Sequence, residues 1–358
     1  MKILDRYILF RFLGTFFFTI ALILSISIIF DISERLDDFL SKSAPLNEIV
    51  FEYYLSFLIF YGNQFSALII FIAVIFFTSR MANLTEITAI LGSGISFNRF
   101  LLPYFLGASI LAGISLYFNH FLVPTTNQSL INFKLKYVDD PESMRYKHLH
   151  RRIDPTSYVY FESFNGERNV GYHFTIEKFK ENEMLYKLSA DFARYDSLRG
   201  IWRIENYTVR TFSGDQQQLY RGLQLDTILD FIPEDLGIQT KSIETMTYPE
   251  LVRFISAEEA RGSETLNQSY IEMHKRTALS LATYILTLMA VSISFRKRRG
   301  GIGINLALGF AIVLVYVFFM QVSTTMATSG NLSPWLAVWM PNIVFSFVAL
   351  FLYGRALR

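Results

Sequence analysis

Cysteine is absent from this 358-residue chain. That excludes disulfides, thiolate nucleophiles and Cys-ligated metal sites, and it leaves the compartment open, since a chain without thiols folds in either redox environment. No G-x-x-x-x-G-K-[ST] run occurs either, so nucleotide phosphates are not cradled in the P-loop manner. Gly92-Ser-Gly94 and Gly300-Gly-Ile-Gly303 are Gly-rich, but they follow no strand and precede no Lys-Ser/Thr pair; they read as helix ends. Net charge is only +2, without the basic excess of a nucleic-acid binder. Histidine is scarce, at five residues. His148-x-His150 lacks the i, i+4 spacing of a helical zinc site, and with His173 it reads as surface histidine.

The most informative absence is charge. From Gly300 to Gly354 no Asp, Glu, Lys or Arg occurs. One membrane-spanning helix needs about 20 apolar residues, so this stretch holds two spans. Their turn is written at Ser329-Gly330-Asn331-Leu332-Ser333-Pro334, with Trp335 and Trp339 beyond it as interfacial anchors. Four further runs qualify: Phe12 to Phe30, Tyr53 to Ser79, Phe100 to Asn119 and Thr277 to Phe295. The expectation is six spans. The first run begins after Lys2 and Arg6, as a signal peptide would, but it is long for one and no small-x-small cleavage site precedes Asp31; an uncleaved helix is expected. No span carries a charge near its middle, as ion-coupled carriers usually require. Asn63 and Gln64 in the second span read as helix-contact residues.

Basic residues set the direction. Lys2, Arg6 and Arg11, the cluster Arg296-Lys297-Arg298-Arg299, and Arg355 with Arg358 fall on one face of a six-span chain. The acidic stretch Asp31 to Glu52 and the uncharged turn at Gly330 fall on the other. Both termini are therefore expected in the cytoplasm.

With 52% hydrophobic and 16% aromatic residues the chain is too polar for spans alone. The soluble part lies from Phe121 to Lys275, outside the cytoplasm by parity. Its pattern has period two: Ser157 to Phe164, Val170 to Phe179, Met184 to Ala193, Gly200 to Phe212, and one or two strands within Leu219 to Ile232. Turn signals separate them at Asn165-Gly166, Glu181-Asn182, Ser197 to Gly200 and Ser213-Gly214-Asp215. Five to eight short strands at this spacing suggest an antiparallel sandwich or jelly roll. Tyr158, Tyr160, Phe161, Phe174, Phe179, Phe192 and Trp202 supply its core or an apolar lipid path. Tyr248-Pro249-Glu250 opens an amphipathic helix to about Ala260.

The loop from Arg80 to Arg99 between spans two and three is expected to be cytoplasmic. At 100° per residue Met81, Leu84, Ile87 and Leu91 share one helical face, while Glu86 points the other way among small residues. A helix over residues 80–94, ended by Gly92 and Gly94, exposes that carboxylate either to a basic docking partner or merely to water.

At these residues the chain resembles the lipopolysaccharide export permeases, the LptF/LptG family. The resemblance rests on Leu4-Asp-Arg-Tyr-Ile8; on Glu86-Ile-Thr-Ala-Ile-Leu-Gly-Ser-Gly-Ile-Ser followed by Arg99 and Pro103; on Glu272-x-His274-x-Arg276; and on Gly330-x-Leu-Ser-Pro-Trp-Leu-Ala-Val-Trp339-x-Pro-Asn342. It covers essentially the whole chain, and the opening leans slightly towards LptG. It implies a six-helix membrane bundle with an inserted extracytoplasmic β-jelly-roll-like domain: residues 1–123 as spans one to three with the coupling helix, 124–275 as the periplasmic β domain and connecting helix, 276–358 as spans four to six. It also implies an inner-membrane permease with no ATPase of its own, paired with its LptF/LptG paralogue, two copies of an LptB-like ATPase and a single-span LptC-like protein. ATP is then used by the partner. Lipopolysaccharide passes along the jelly rolls to an LptA-like periplasmic bridge. The family's coupling glutamate falls on Glu86. The cations that meet lipid A phosphates have Arg35 and Lys42 as candidates, among acidic neighbours Asp31, Glu34, Asp37 and Asp38 that could pair with them or bridge phosphates through divalent ions. The alternative is a membrane-anchored scaffold using its β domain as an interaction module; a membrane-anchored enzyme would need a convergent catalytic set, and none is visible.

Overall fold

A computed structural model describes residues 3–138, 145–154, 156–165, 168–180, 183–213, 216–229, 231–233, 243–261, 266–297 and 300–357. The chain forms two compact units. One comprises residues 1–133, 243–255 and 265–358, the other residues 134–242 and 256–264.

The first unit is helical. Its elements are α1 (Ile3–Ser41), α2 (Leu46–Glu48), α3 (Leu55–Gln64), α4 (Ser66–Asn83), α5 (Glu86–Gly92), α6 (Phe97–Tyr117), the start of α7 (Val123–Tyr137) and of α8 (Tyr248–Arg261), then α9 (Leu266–Ser294), α10 (Gly301–Thr328) and α11 (Pro334–Ala356). Among the described residues six helices are long and apolar enough to cross a membrane: Ile3–Ser41, Ser66–Asn83, Phe97–Tyr137, Leu266–Ser294, Gly301–Thr328 and Pro334–Ala356. The protein is thus a membrane protein with the expected number of spans. Among them α4 and α9 are the most buried, and α1 and α10 the least. The central pair is rich in small residues, Ala67, Ala73 and Ala82 on α4 and Ala278, Ala282 and Ala290 on α9, all buried. Small side chains let helix backbones approach closely where lipid supplies no hydrophobic drive. The outer helices present large apolar side chains outward, as Phe18, Phe30, Leu314 and Phe318 do.

Several expected boundaries move. α1 has 39 residues, hence a length of about 58 Å, and the apolar run Phe12 to Phe30 is only its middle. The second run is not one helix: a π-helical stretch Ile49–Tyr54 leads into α3, and the chain breaks at Phe65 (φ −95°, ψ 1°) before α4. The third span does not stop at Asn119. It passes through a π-turn at Phe118–Leu122 into α7, so the helix continues well past the expected start of the insert at Phe121. The wider turn lies just ahead of Pro124, a residue that would otherwise clash with the preceding turn of an α-helix. The close approach of α1 to α6 needs Gly107, where a Cβ would sit 2.4 Å from the Phe12 ring. The hairpin between α10 and α11 falls where the turn residues placed it. Gly330 has φ +77°, and Gly330 N–H donates to Ala327 O and Asn331 N–H to Met326 O, a Schellman closure that favours glycine.

The second unit holds one six-stranded antiparallel sheet among the described residues, with strands β1 (Arg145–Asp154), β2 (Ser157–Asn165), β3 (Val170–Lys180), β4 (Glu183–Asp196), β5 (Ile201–Ser213) and β6 (Gln216–Thr227). The spatial order follows the sequence, each strand bonded to its neighbour in the chain. The all-β insert is as expected, and its connections are those of a meander. β1 was not anticipated, since its run of Arg, Lys and His masks the alternation. Among the described residues Leu219 to Ile232 supplies one strand, within β6, the lower of the expected one or two. Of the turn signals, Ser197 to Gly200 is a turn in which Asp196 Oδ1 accepts from Leu198 N and Arg199 N at 3.0 and 3.3 Å. Gly166, Glu181-Asn182 and Gly214-Asp215 lie outside the described residues.

The core of the sheet is aromatic. Phe161, Phe174 and Trp202 are fully buried with Phe164, and Trp202 Nε1 donates to Phe231 O at 2.9 Å. Tyr158 and Phe192 are exposed, which divides the seven aromatics between core and surface. Cross-strand pairs fix the register: Lys187 meets Glu177 at 2.7 Å and Arg203 meets Asp226 at 3.1 Å. The Arg203 guanidinium, helped by Gln224, holds the Asp226 carboxyl below the usual aspartate range.

Candidate functional site

The segment after α4 was expected as a single helix over residues 80–94. Instead it is two. α4 runs through Arg80 to Asn83; Thr85 takes a left-handed conformation at φ 60°, and α5 begins afresh at Glu86. β-branched threonine disfavours that backbone, so no propensity argument finds the break. The shared apolar face is lost with it. Met81 and Ile87 are buried, at 2% exposure each, whereas Leu84 stands out at 59%. Glu86 therefore opens the short helix rather than sitting mid-helix, and it is half-buried.

Tyr7 of α1 donates its hydroxyl to Glu86 Oε2 at 2.9 Å. At the other end of the segment Arg99 Nη2 meets Asp5 Oδ2 at 2.7 Å, with the Asp5 side chain only 5% exposed. Arg99 lies in the first turn of α6, whose N-cap Ser96 accepts from Arg99 N at 3.3 Å. The structure thus joins Leu4-Asp-Arg-Tyr-Ile8 to both ends of the Glu86–Arg99 segment. Sequence reasoning assigned no role to Asp5 or Tyr7. The one available signal was a carboxylate opening an otherwise apolar helix.

Arg35 and Lys42 lie seven residues apart, near the end of α1 and just past it. Arg35 Nε donates to Asp31 Oδ1 at 3.1 Å, so one of the acidic neighbours pairs with the cation. Tyr53 and Tyr54 hydroxyls donate to the same carboxylate at 3.0 and 3.2 Å. Phe39 and Phe133 stack edge-on and tilted against Tyr53 at 5.5 and 5.1 Å between centroids. Lys42 is exposed.

A third polar group gathers at the break in the second span. Asn63 donates to Asn119 at 2.7 Å, Asn119 to Ser280 at 3.2 Å, and Ser280 to Ser115 at 3.2 Å. Asn63, Gln64, Asn119, Glu244, Glu272 and Arg276 line a small cavity of about 80 Å³ there. Arg276 is buried and fully engaged: it donates to Met246 O at 2.7 Å, Ile243 O at 3.2 Å and Glu272 Oε1 at 3.0 Å. Glu250 reaches back to the start of α8, its Oε2 accepting from Thr247 N and Oγ1 at 2.8 and 2.9 Å. The last motif is also a joint. Asn342 accepts from Tyr316 at 2.8 Å and donates to Ala278 O at 2.9 Å, tying α11 to α10 and α9. Among the described residues no group of three His, Asp or Glu side chains could hold a metal ion.

The family model for the lipopolysaccharide export system permease LptF/LptG matches residues 6–355. The chain belongs to that family. A comparison with curated proteins gives no match. Membership makes the chain a lipopolysaccharide export permease, a transport protein rather than a hydrolase. In this LptF/LptG chain the four stretches of resemblance are joints: Asp5 and Tyr7 to the segment after α4, Arg276 to the return from the insert, Asn342 to its two neighbours, and the Gly330 turn between the last spans.

Proposed function

We propose that this chain is the permease subunit of an ABC-type exporter that extracts lipopolysaccharide from the inner membrane and passes it to an LptA-like periplasmic bridge. An LptB-like ATPase dimer hydrolyses the ATP, and the chain pairs with its LptF/LptG paralogue and an LptC-like single-span protein. The observation that carries this reading is the family match over nearly the whole chain. Charge placement supports the orientation: Arg6, Arg11, Arg296, Lys297 and Arg355 favour the cytoplasmic side, which puts α5 there and the β unit in the periplasm.

On this reading Glu86 is the coupling residue. A carboxylate opening a short helix, half-buried and held by one tyrosine hydroxyl, is suited to a basic residue of the ATPase. Arg35 and Lys42 are the candidate contacts to lipid phosphates; Asp31 limits the charge that Arg35 offers. No side chain of this chain does chemistry on ATP. Its part is to move a lipid when the ATPase moves α5.

The test is Glu86→Ala in the purified complex. A charge-assisted contact at a partly buried interface contributes about 1.5–3 kcal/mol, so ATPase affinity is expected to fall about tenfold to a hundredfold, while folding and membrane insertion persist. Transport into acceptor vesicles should fall with it. Unchanged association and transport would overturn the assignment.

A further inference from the structure

Glu86 does not stand alone. Tyr7 O–H reaches Glu86 Oε2 at 2.9 Å, and Arg99 Nη2 reaches Asp5 Oδ2 at 2.7 Å. Residues 5 and 7 of one helix point about 200° apart. The segment from Glu86 to Arg99 therefore grips the start of α1 from two sides, one contact at each of its ends. Arg99 Nη1 is buried with no hydrogen-bond partner, so the Asp5 carboxylate is what holds the guanidinium in place. Ile87 packs the segment into the helical core, and the two polar contacts tie both of its ends to α1.

We propose that Asp5 and Tyr7 are positioning residues for Glu86: a two-point brace that presets the coupling carboxylate for docking and carries displacement of the segment into the first span. The inference rests on the reading of Glu86 as the ATPase-coupling residue. It adds a route, because α1 is the helix that bears Arg35, 28 residues beyond Tyr7 on one continuous helix.

The chain has no native cysteine, so a single spin label at Ala89, an exposed position of α5, reports on the segment in the full chain in lipid vesicles. The label is expected to be ordered in the parent. Tyr7→Phe keeps the ring and removes only the hydroxyl; together with Asp5→Asn it should raise the mobile fraction at least threefold. Asp5→Arg and Arg99→Asp should each loosen the segment, and the two combined should restore order, a rescue that general destabilisation does not give. In the complex with the ATPase, Tyr7→Phe should lower lipid moved per ATP hydrolysed several-fold and lower ATPase affinity by a smaller factor. A label as ordered in the Tyr7→Phe, Asp5→Asn chain as in the parent, with unchanged lipid per ATP, overturns the brace alone provided Glu86→Ala still weakens ATPase binding. If Glu86→Ala leaves binding and transport intact, the coupling reading falls and the proposed role of the brace falls with it.

Discussion

Arg276 is a cation buried at the point where the chain re-enters the membrane bundle, and three acceptors hold it there. Two are backbone carbonyls of residues 243 and 246; Ile243 O also accepts from Met246 N at 3.4 Å. Removing the guanidinium takes a donor from both carbonyls and from the Glu272 carboxylate. Breaking a buried pair in this way costs about 3–5 kcal/mol. Arg276→Met should therefore lower the unfolding midpoint of the detergent-solubilised chain clearly, and proteolysis should open residues 243–255 first; an unchanged midpoint would deny the residue its anchoring role. His274 and Glu272 were legible as parts of a motif, but which member carried the weight was not. Spacing puts Glu272 and Arg276 one turn apart, yet says nothing of two carbonyls thirty residues away. Asp5 and Tyr7 were hidden for the same reason: their partners lie 94 and 79 positions off in the chain.

Elements were legible where one period dominates. The spans follow from runs without charge, and β2 to β5 from alternation of aromatic and polar residues. Their ends follow less well, because helix ends here depend on contacts. α3 stops at Asn63-Gln64, where the Asn63 amide finds Asn119 rather than lipid, and α4 stops at a left-handed Thr85. β1 reads as charged chain because its sheet partner, not its own side chains, defines it. The sheet order also decides where a partner strand can add. β2 and β5 are interior strands, so the Ser157–Phe164 and Gly200–Phe212 stretches offer no edge. Among the described residues the edges are β1 and β6, and β6 carries exposed Leu219, Tyr220 and Leu223. Such an edge is a template for strand addition. A photo-crosslinker at Leu223 is expected to capture a periplasmic β-rich protein during active transport, and one at the buried Ile204 is not. If Leu223 captures nothing while lipid flows, the handover does not use this edge.

At the scale of the molecule the prediction is topology. Single cysteines at the exposed Ser93, Lys297, Leu198 and Ser329 report it. Ser93 and Lys297 should react only from the cytoplasmic side; Leu198 and Ser329 only from the other. An outward-facing Lys297 would break the six-span arrangement. The meander of the insert bears on how such a chain is made. Every hairpin closes between neighbouring segments, so contact order within the sheet is low and loop closure costs little. No strand waits for one that has yet to emerge. On the proposed orientation the domain can complete itself on the far side of the bilayer while the last three spans are still on the ribosome, and of the two edges of the described sheet β6 is the strand made last.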